Sequence, residues 1–307
     1  MNSHTSGRVL ALGCLIVGGW CGLVKFTSLI DNLYWLAFTN ALQHGQISRT
    51  AWVISPTHLM QHKLTAMEAY WAGDCQEAGA KFDVALEAGA APQVLWLFFA
   101  GNAYAQCQQP QVAIQRWQRA GAAPFWLKQC EADWSHTEIE AVVQHCDLAR
   151  QIDPQLAPAY DYLGRAYFRL RRYPQAVEAY EAALRLGEAQ GRIYLRTALA
   201  YEQVNDLASA ENYLLKTLAR EPEYAGAYFV LARVYFQQKR YGEAEARLTD
   251  AIHFDPTLPV FYVLLGDVYC LTQRPTDALT TYQRAASLDP TNAALVQKIE
   301  LVNTKCH

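Results

Sequence analysis

The chain has 307 residues, 52% of them apolar and 18% charged, which excludes a disordered tail and allows one large domain or two ordinary ones. The formal net charge is −3 and no run of five or more basic residues occurs, so there is no electrostatic case for nucleic acid as a partner. None of the 8 cysteines forms a C-x-x-C pair, which removes the common zinc and thioredoxin-like signatures.

The first element is apolar. Residues Val9 to Val24, "VLALGCLIVGGWCGLV", hold no charge and lie between Arg8 and Lys25. With the Lys25 stem snorkelling, the run extends to Ile30 and reaches the roughly 20 residues of a membrane-spanning helix. The following "KFTSLIDN" offers no convincing cleavage site, so residues 1–30 are read as a single-pass anchor in preference to a removed signal peptide. The short N-terminal tail favours a bulk lying outside the cytoplasm, on a small charge bias. Residues 31–58 read as a linker that includes the tail of an incomplete unit, "AWVISP" from Ala51 to Pro56.

Residues 59–156 carry weakened copies of a pattern that becomes regular further on. "GDCQEAGAKFDVAL" (Gly73 to Leu86) reads as a turn and a second helix. "AGNAYAQCQQPQVAIQRWQRA" (Ala100 to Ala120) is a fuller copy, with Gly101, Tyr104, Ala113 and Trp117 in place. The stretch 123–156 ends in "ARQIDP", but its middle, "KQCEADWSHTEIEA", lacks both the Gly and the Tyr and reads as a distorted unit.

From residue 157 the repeat is strict. Tyr160, Tyr194, Tyr228 and Tyr262 are each 34 apart, as are Tyr167, Tyr201, Tyr235 and Tyr269, and Ala176, Ala210, Ala244 and Ala278. Small residues recur at Gly164, Ala198, Ala232 and Gly266, and Pro222, Pro256 and Pro290 close successive units. Tyr160, Leu163, Gly164 and Tyr167 form one helical stripe, and Ala176, Tyr180, Ala183 and Leu184 form a second. The polar turn "RLRRYPQ" separates them. Four helical hairpins follow, at 157–190, 191–224, 225–258 and 259–292, and a last helix in 293–307 caps them. One hairpin cannot bury its apolar face alone, so neighbours must stack into an all-α array.

The series Tyr160-x-x-Leu163-Gly164-x-x-Tyr167, then Ala176-x-x-x-Tyr180, resembles the tetratricopeptide repeat family, with its W-x-x-L-G-x-x-Y, A-x-x-x-F and P signature. "YVLLGDVY", Tyr262 to Tyr269, is similar to it as well. The resemblance implies a right-handed α-solenoid, here preceded by one transmembrane helix, with no catalysis and no cofactor. It implies an adaptor or scaffold that binds a protein or peptide in a concave groove lined by the first helix of each unit. The groove positions are then Arg165, Phe168 and Arg169, with Asp161, in one unit, and Arg192 and Gln203, with Glu202, in the next. Phe229, Arg233, Phe236 and Gln237 follow, then Val263 and Asp267. Arginines beside exposed Phe rings suit an extended peptide carrying an acidic or carboxylate group. A solvated face with snorkelling Arg stems, or a face occupied by a second copy, are the alternatives. The Lys/Asn set with which some relatives clamp chaperone tails is missing, so Hsp70 or Hsp90 tails are not the expected partner. The plain layout of anchor and array looks bacterial.

Other chemistry is sparse. No G-x-S-x-G, P-loop or H-E-x-x-H occurs. Cys130, His136, His145 and Cys146 have the ligand mix of a zinc site but not the spacing of a finger. Cys130 and Cys146 fall at paired core positions, and free thiols, a disulfide and a metal are three readings of them; Cys75 and Cys107 are a second possible disulfide. A rival function is an accessory subunit of a cell-envelope polysaccharide or secretion assembly. Another is an enzyme with its site in 123–156, around Trp126, Asp133, His136 and His145.

Overall fold

A computed structural model of the protein describes residues 58–90, 93–187 and 191–305. The proposed anchor and the "AWVISP" segment lie outside the described residues. Among the described residues, no helix is long and apolar enough to cross a membrane.

The described residues form fifteen helices and fall into two compact units, one through Gly121 and one from Ala122. The first unit holds α1 (His58–Ala72), α2 (Cys75–Glu87), α3 (Gln93–Gln106) and α4 (Pro110–Arg119). The second opens with α5 (Ala123–His136) and α6 (Ile139–Ile152). It continues with α7 (Ala157–Arg169), α8 (Tyr173–Arg185), α9 (Gly191–Gln203) and α10 (Leu207–Arg220). It closes with α11 (Ala225–Gln237), α12 (Tyr241–Phe254), α13 (Pro259–Leu271), α14 (Pro275–Leu288) and α15 (Ala293–Lys305). Consecutive helices pair into hairpins, and α15 follows the last of them.

One turn is used in every hairpin. A residue one or two positions past the first helix takes a left-handed conformation: Gly73, Gln108, Thr137, Arg171, Asn205, Lys239 and Gln273. The next backbone N–H then reaches five residues back, as in Arg172 to the Tyr167 carbonyl (2.8 Å) and Arg240 to the Tyr235 carbonyl (2.9 Å). This satisfies helix-end carbonyls that would otherwise be orphaned. Proline in the first turn starts α4, α5, α7, α8, α13 and α14, where its missing N–H costs nothing.

One pair of core positions, 16 residues apart, recurs in every hairpin. It is Ala66/Phe82, Gly101/Trp117, Cys130/Cys146, Gly164/Tyr180, Ala198/Leu214, Ala232/Leu248 and Gly266/Tyr282. Outside the Cys/Cys pair, the small member sits on the first helix and the large one on the second. Where the first member is Gly, an aromatic ring lies directly on its backbone; a Cβ on Gly101, Gly164 or Gly266 would meet the ring at 2.5 Å. Where it is Ala, Leu or Phe suffices. In the distorted hairpin α5–α6 the same pair is a disulfide, with Cα atoms 5.3 Å apart and both residues fully buried. A second disulfide, Cys75–Cys107, ties the start of α2 to the end of α3 (Cα–Cα 5.5 Å).

Tyrosine hydroxyls tie the hairpins together. Tyr160, Tyr228 and Tyr262 each donate to the carbonyl of the proline six residues earlier, at 3.3, 3.0 and 3.1 Å. Tyr235 donates to Glu211 of the preceding hairpin at 3.1 Å, and Arg240 stacks on that ring at 4.2 Å while bonding the same carboxylate at 2.8 Å. Arg274 repeats the arrangement one unit on, 4.2 Å over Tyr269 and 2.9 Å from Glu245. Tyr201 and Tyr213 share Glu181, at 2.6 and 3.0 Å. Burial is the first cause, and a carboxylate neighbour the second, that pushes Tyr201, Tyr213 and Tyr235 above the usual phenol range.

Candidate functional site

In the second unit the first helices of successive hairpins, α5, α7, α9, α11, α13 and α15, lie against one another. They form the face on which the sequence places its groove residues. Ion pairs run from one first helix to the next. Arg196 of α9 holds both oxygens of Asp161 on α7, at 2.8 and 2.9 Å. Arg233 of α11 grips Glu202 of α9 through Nε at 2.6 Å and through Nη2, and Gln237 adds a bond at 3.0 Å. Lys298 of α15 pairs with Asp267 on α13, which also accepts from Tyr282 at 2.6 Å.

The groove candidates divide by environment. Arg169, Arg192, Gln203 and Gln237 keep side-chain surface open to solvent. Arg233 is held by Glu202, whose side chain is 2% exposed, so its charge is largely neutralised within the chain. The three Phe rings do not stand out into solvent as the sequence reading expected. Phe168 is half-buried with its ring 5.3 Å from Tyr173, Phe229 lies 5.1 Å from Phe261, and Phe236 lies 5.7 Å from Tyr241. The physical reason is that ring positions at this register also lie against a neighbouring helix, so apolar area is taken up in stacking. Arg165 is 23% exposed and lies over Trp134, 4.0 Å from the ring centroid, and 4.9 Å from that of Tyr162. Arg169 lies 5.2 Å over the same Trp134 ring.

Trp134 and Arg196 were not among the sequence candidates. The signal for Trp134 was present, since the 34-residue frame places it one period before Phe168. It was obscured because the neighbouring Gly and Tyr of that unit are missing.

In α5–α6 the four residues with a zinc-like ligand mix do other things. Cys130 and Cys146 are bonded to each other, His136 Nδ1 lies 2.8 Å from the Ala132 carbonyl, and His145 Nδ1 lies 2.5 Å from Asp133. The His145 ring also stacks on Trp126, at 5.4 Å. At the site suggested for an enzyme, His145 is thus engaged by a ring stack on Trp126 and a hydrogen bond with Asp133. No group of three or more potential ligands able to hold a metal occurs among the described residues.

Comparison with known proteins agrees with this architecture. Three family models, each described as a tetratricopeptide repeat, match residues 157–189, 195–259 and 236–300. The Hsp70-Hsp90 organizing protein of Triticum aestivum is 24% identical over 119 residues, which is 39% of this chain and 20% of that protein. Tetratricopeptide repeat protein 21B of Mus musculus is 25% identical over 147 residues, 45% of this chain and 11% of that protein. The match thus spans a fifth or less of either relative. YrrB, described as a TPR protein with an unusual peptide-binding site, superposes with a TM-score of 0.53 at 20% identity, over 57% of this chain and 91% of that chain. MamA of Desulfovibrio magneticus RS-1 superposes with a TM-score of 0.53 at 16% identity, over 56% of this chain and 97% of that chain. At such identities the likeness is one of fold. With a 34-residue period, stacked hairpins and family matches over 157–189 and 195–300, this part of the chain consists of tetratricopeptide repeats.

Proposed function

We propose that this chain is a non-catalytic scaffold, fixed to a membrane by residues 1–30, that holds a protein or peptide on the face of its first helices and so assembles a complex at the membrane. The array would be a right-handed solenoid, with that face as its groove. The observation that carries the reading is the face itself: Arg169, Arg192, Gln203 and Gln237 reach solvent over hairpins whose interiors are already closed by their own core pairs. Polar side chains over a stiff, packed base suit recognition of an extended chain at low reorganisation cost. YrrB, described as a TPR protein with an unusual peptide-binding site, is of the same kind.

Cysteine chemistry supports one side of the membrane for this reading. All five described cysteines, Cys75, Cys107, Cys130, Cys146 and Cys270, are disulfide-bonded, which supports an oxidising compartment and repeats lying outside the cytoplasm.

The test is photo-crosslinking in membranes of cells expressing the full chain, with the crosslinker at Gln237 on the proposed face or at Arg284 on the outer helix α14. The expected result is a discrete adduct from Gln237 and none from Arg284, in a protein that pellets with membranes and is released when residues 1–30 are deleted. Equal adducts at both positions would overturn the face assignment. Pelleting that survives the deletion would overturn the anchor.

A further inference from the structure

We propose that Trp134, Arg165 and Arg169 form the docking point for an acidic segment of the partner protein, a proposal that rests on the first-helix face being the binding surface. Two guanidiniums share one indole ring, Arg165 at 4.0 Å and Arg169 at 5.2 Å from its centroid. Tyr162 supports Arg165 from its other contact, at 4.9 Å. Cation–π stacking fixes the planes of these side chains before any ligand arrives, so little rotamer freedom remains to be lost on binding.

The charge at this point is not balanced within the chain. Arg165 has Asp161 only at 3.9 Å, and that carboxylate is bound through both oxygens by Arg196 at 2.8 and 2.9 Å. Two guanidiniums therefore share one carboxylate, and Arg169 has no carboxylate partner among the described contacts. Glu131, exposed on α5, pairs with none of them among the described contacts. Further along the face the balance differs. Arg233 pairs one to one in charge with the buried Glu202, and Lys298 does so with Asp267. Arg165, Arg169 and Arg196 against the single carboxylate of Asp161 make a local excess of positive charge that is complementary to carboxylates.

The same place is where the repeat pattern breaks. Asp133 stands where the regular units carry Tyr, and it turns to His145; Trp134 stands where they carry Phe168 or Phe236. Trp134 packs against the cluster around the Cys130–Cys146 disulfide, which gives the indole a rigid base. The departure from the consensus thus builds a cation-bearing aromatic platform.

The test uses the full chain in detergent micelles and a fluorescein-labelled octaglutamate peptide, with a Gly/Ser peptide of equal length as reference. Anisotropy titrations are expected to show salt-dependent binding of octaglutamate alone. Arg165→Gln with Arg169→Gln, and separately Trp134→Ala, should each weaken it about tenfold or more, while Arg284→Gln on α14 should leave it within about twofold. Circular dichroism confirms that each variant is folded, and Trp134→Phe, which keeps a ring, should retain most of the binding. Octaglutamate that binds as well to the double arginine variant overturns the proposal. So does tighter binding of oligodeoxythymidylate at the same residues, which would assign the platform to nucleic acid. If octaglutamate does not bind but the Gln237 adduct forms, the acidic-segment proposal fails and the scaffold reading stands; if both fail, both fall.

Discussion

The Tyr180 ring lies on the backbone of Gly164 so closely that a Cβ at that position would meet Cδ1 and Cε1 at 2.5 Å. Tyr180 is 2% exposed and has no room to move aside. Gly164→Ala therefore forces the hairpin apart. Overpacking of this kind costs about 1–3 kcal/mol, against a helix-propensity gain of about 1 kcal/mol. A net loss is expected in urea unfolding. Adding Tyr180→Leu should recover most of it, because Ala198/Leu214 and Ala232/Leu248 already close two hairpins that way. A Gly164→Ala single variant as stable as the parent would show that this contact does not set the helix spacing.

Cys130 and Cys146 occupy the same pair of positions in α5–α6. Replacing both with Ala should lower stability by about 2–4 kcal/mol and abolish the response of the melting temperature at this hairpin to reductant. Cys130→Gly with Cys146→Tyr should restore much of the loss without any bond, since it rebuilds the pair seen at Gly164 and Tyr180. Differential scanning calorimetry with and without dithiothreitol reads both effects. No gain of the Gly/Tyr variant over the Ala/Ala variant would mean that the disulfide and the ring are not structural equivalents.

Lys239 follows α11 with φ of +62°. Side chains with a Cβ pay about 1–2 kcal/mol in that region, and glycine does not. Lys239→Gly is expected to be neutral or to stabilise by up to about 1 kcal/mol, whereas Lys239→Val, β-branched, should destabilise. Urea midpoints of the two variants should move in opposite directions or, for glycine, not at all.

Glu202 is buried, and its oxygens are held by Arg233 and Gln237. Arg233→Met strands that carboxylate and should cost about 2–4 kcal/mol, reduced by the partial exposure of the arginine. Glu202→Leu combined with Arg233→Met should return close to parental stability, because the loss comes from an unpaired charge more than from the missing attraction. A double variant no better than the single one would contradict this.

The tyrosine clasps make an alkaline limit. Tyr70, Tyr104, Tyr180, Tyr201, Tyr213, Tyr235, Tyr269 and Tyr282 all have raised pKa values, chiefly through burial, with Tyr213 pushed up to about 12. A raised phenol favours the neutral form in the folded chain. Its stabilising contribution is complete below the unfolded value of about 10 and is lost as pH rises through the folded value. Urea midpoints should therefore hold steady up to about pH 10 and fall above it, in step with phenolate absorbance. Tyr213→Phe should soften the fall. Phenolate absorbance that rises before any loss of stability would contradict the coupling.

Much was legible in the sequence because a strict period carries its own geometry. Tyr160 to Tyr262 and Ala176 to Ala278 keep a 34-residue spacing, and helical stripes on either side of a polar turn admit little besides a hairpin that stacks on its own copies. Even the distorted unit could be placed in frame, so that Cys130 and Cys146 were recognised as facing core positions. The environment of each face residue was not legible. Arg165, Arg192 and Arg233 look alike in sequence, yet one lies on Trp134, one is exposed and one is held by a buried Glu202.

Those partners lie on different helices, about 31 residues away in both the Trp134–Arg165 and Glu202–Arg233 pairs, and periodicity carries no information about side-chain identity across that gap. Local patterning thus determines the hairpins, their turns and their order, since these depend on contacts within one unit. Which charges stay available to a partner is decided only when neighbouring units pack, because a charge is neutralised by what lies within a few ångströms of it in space.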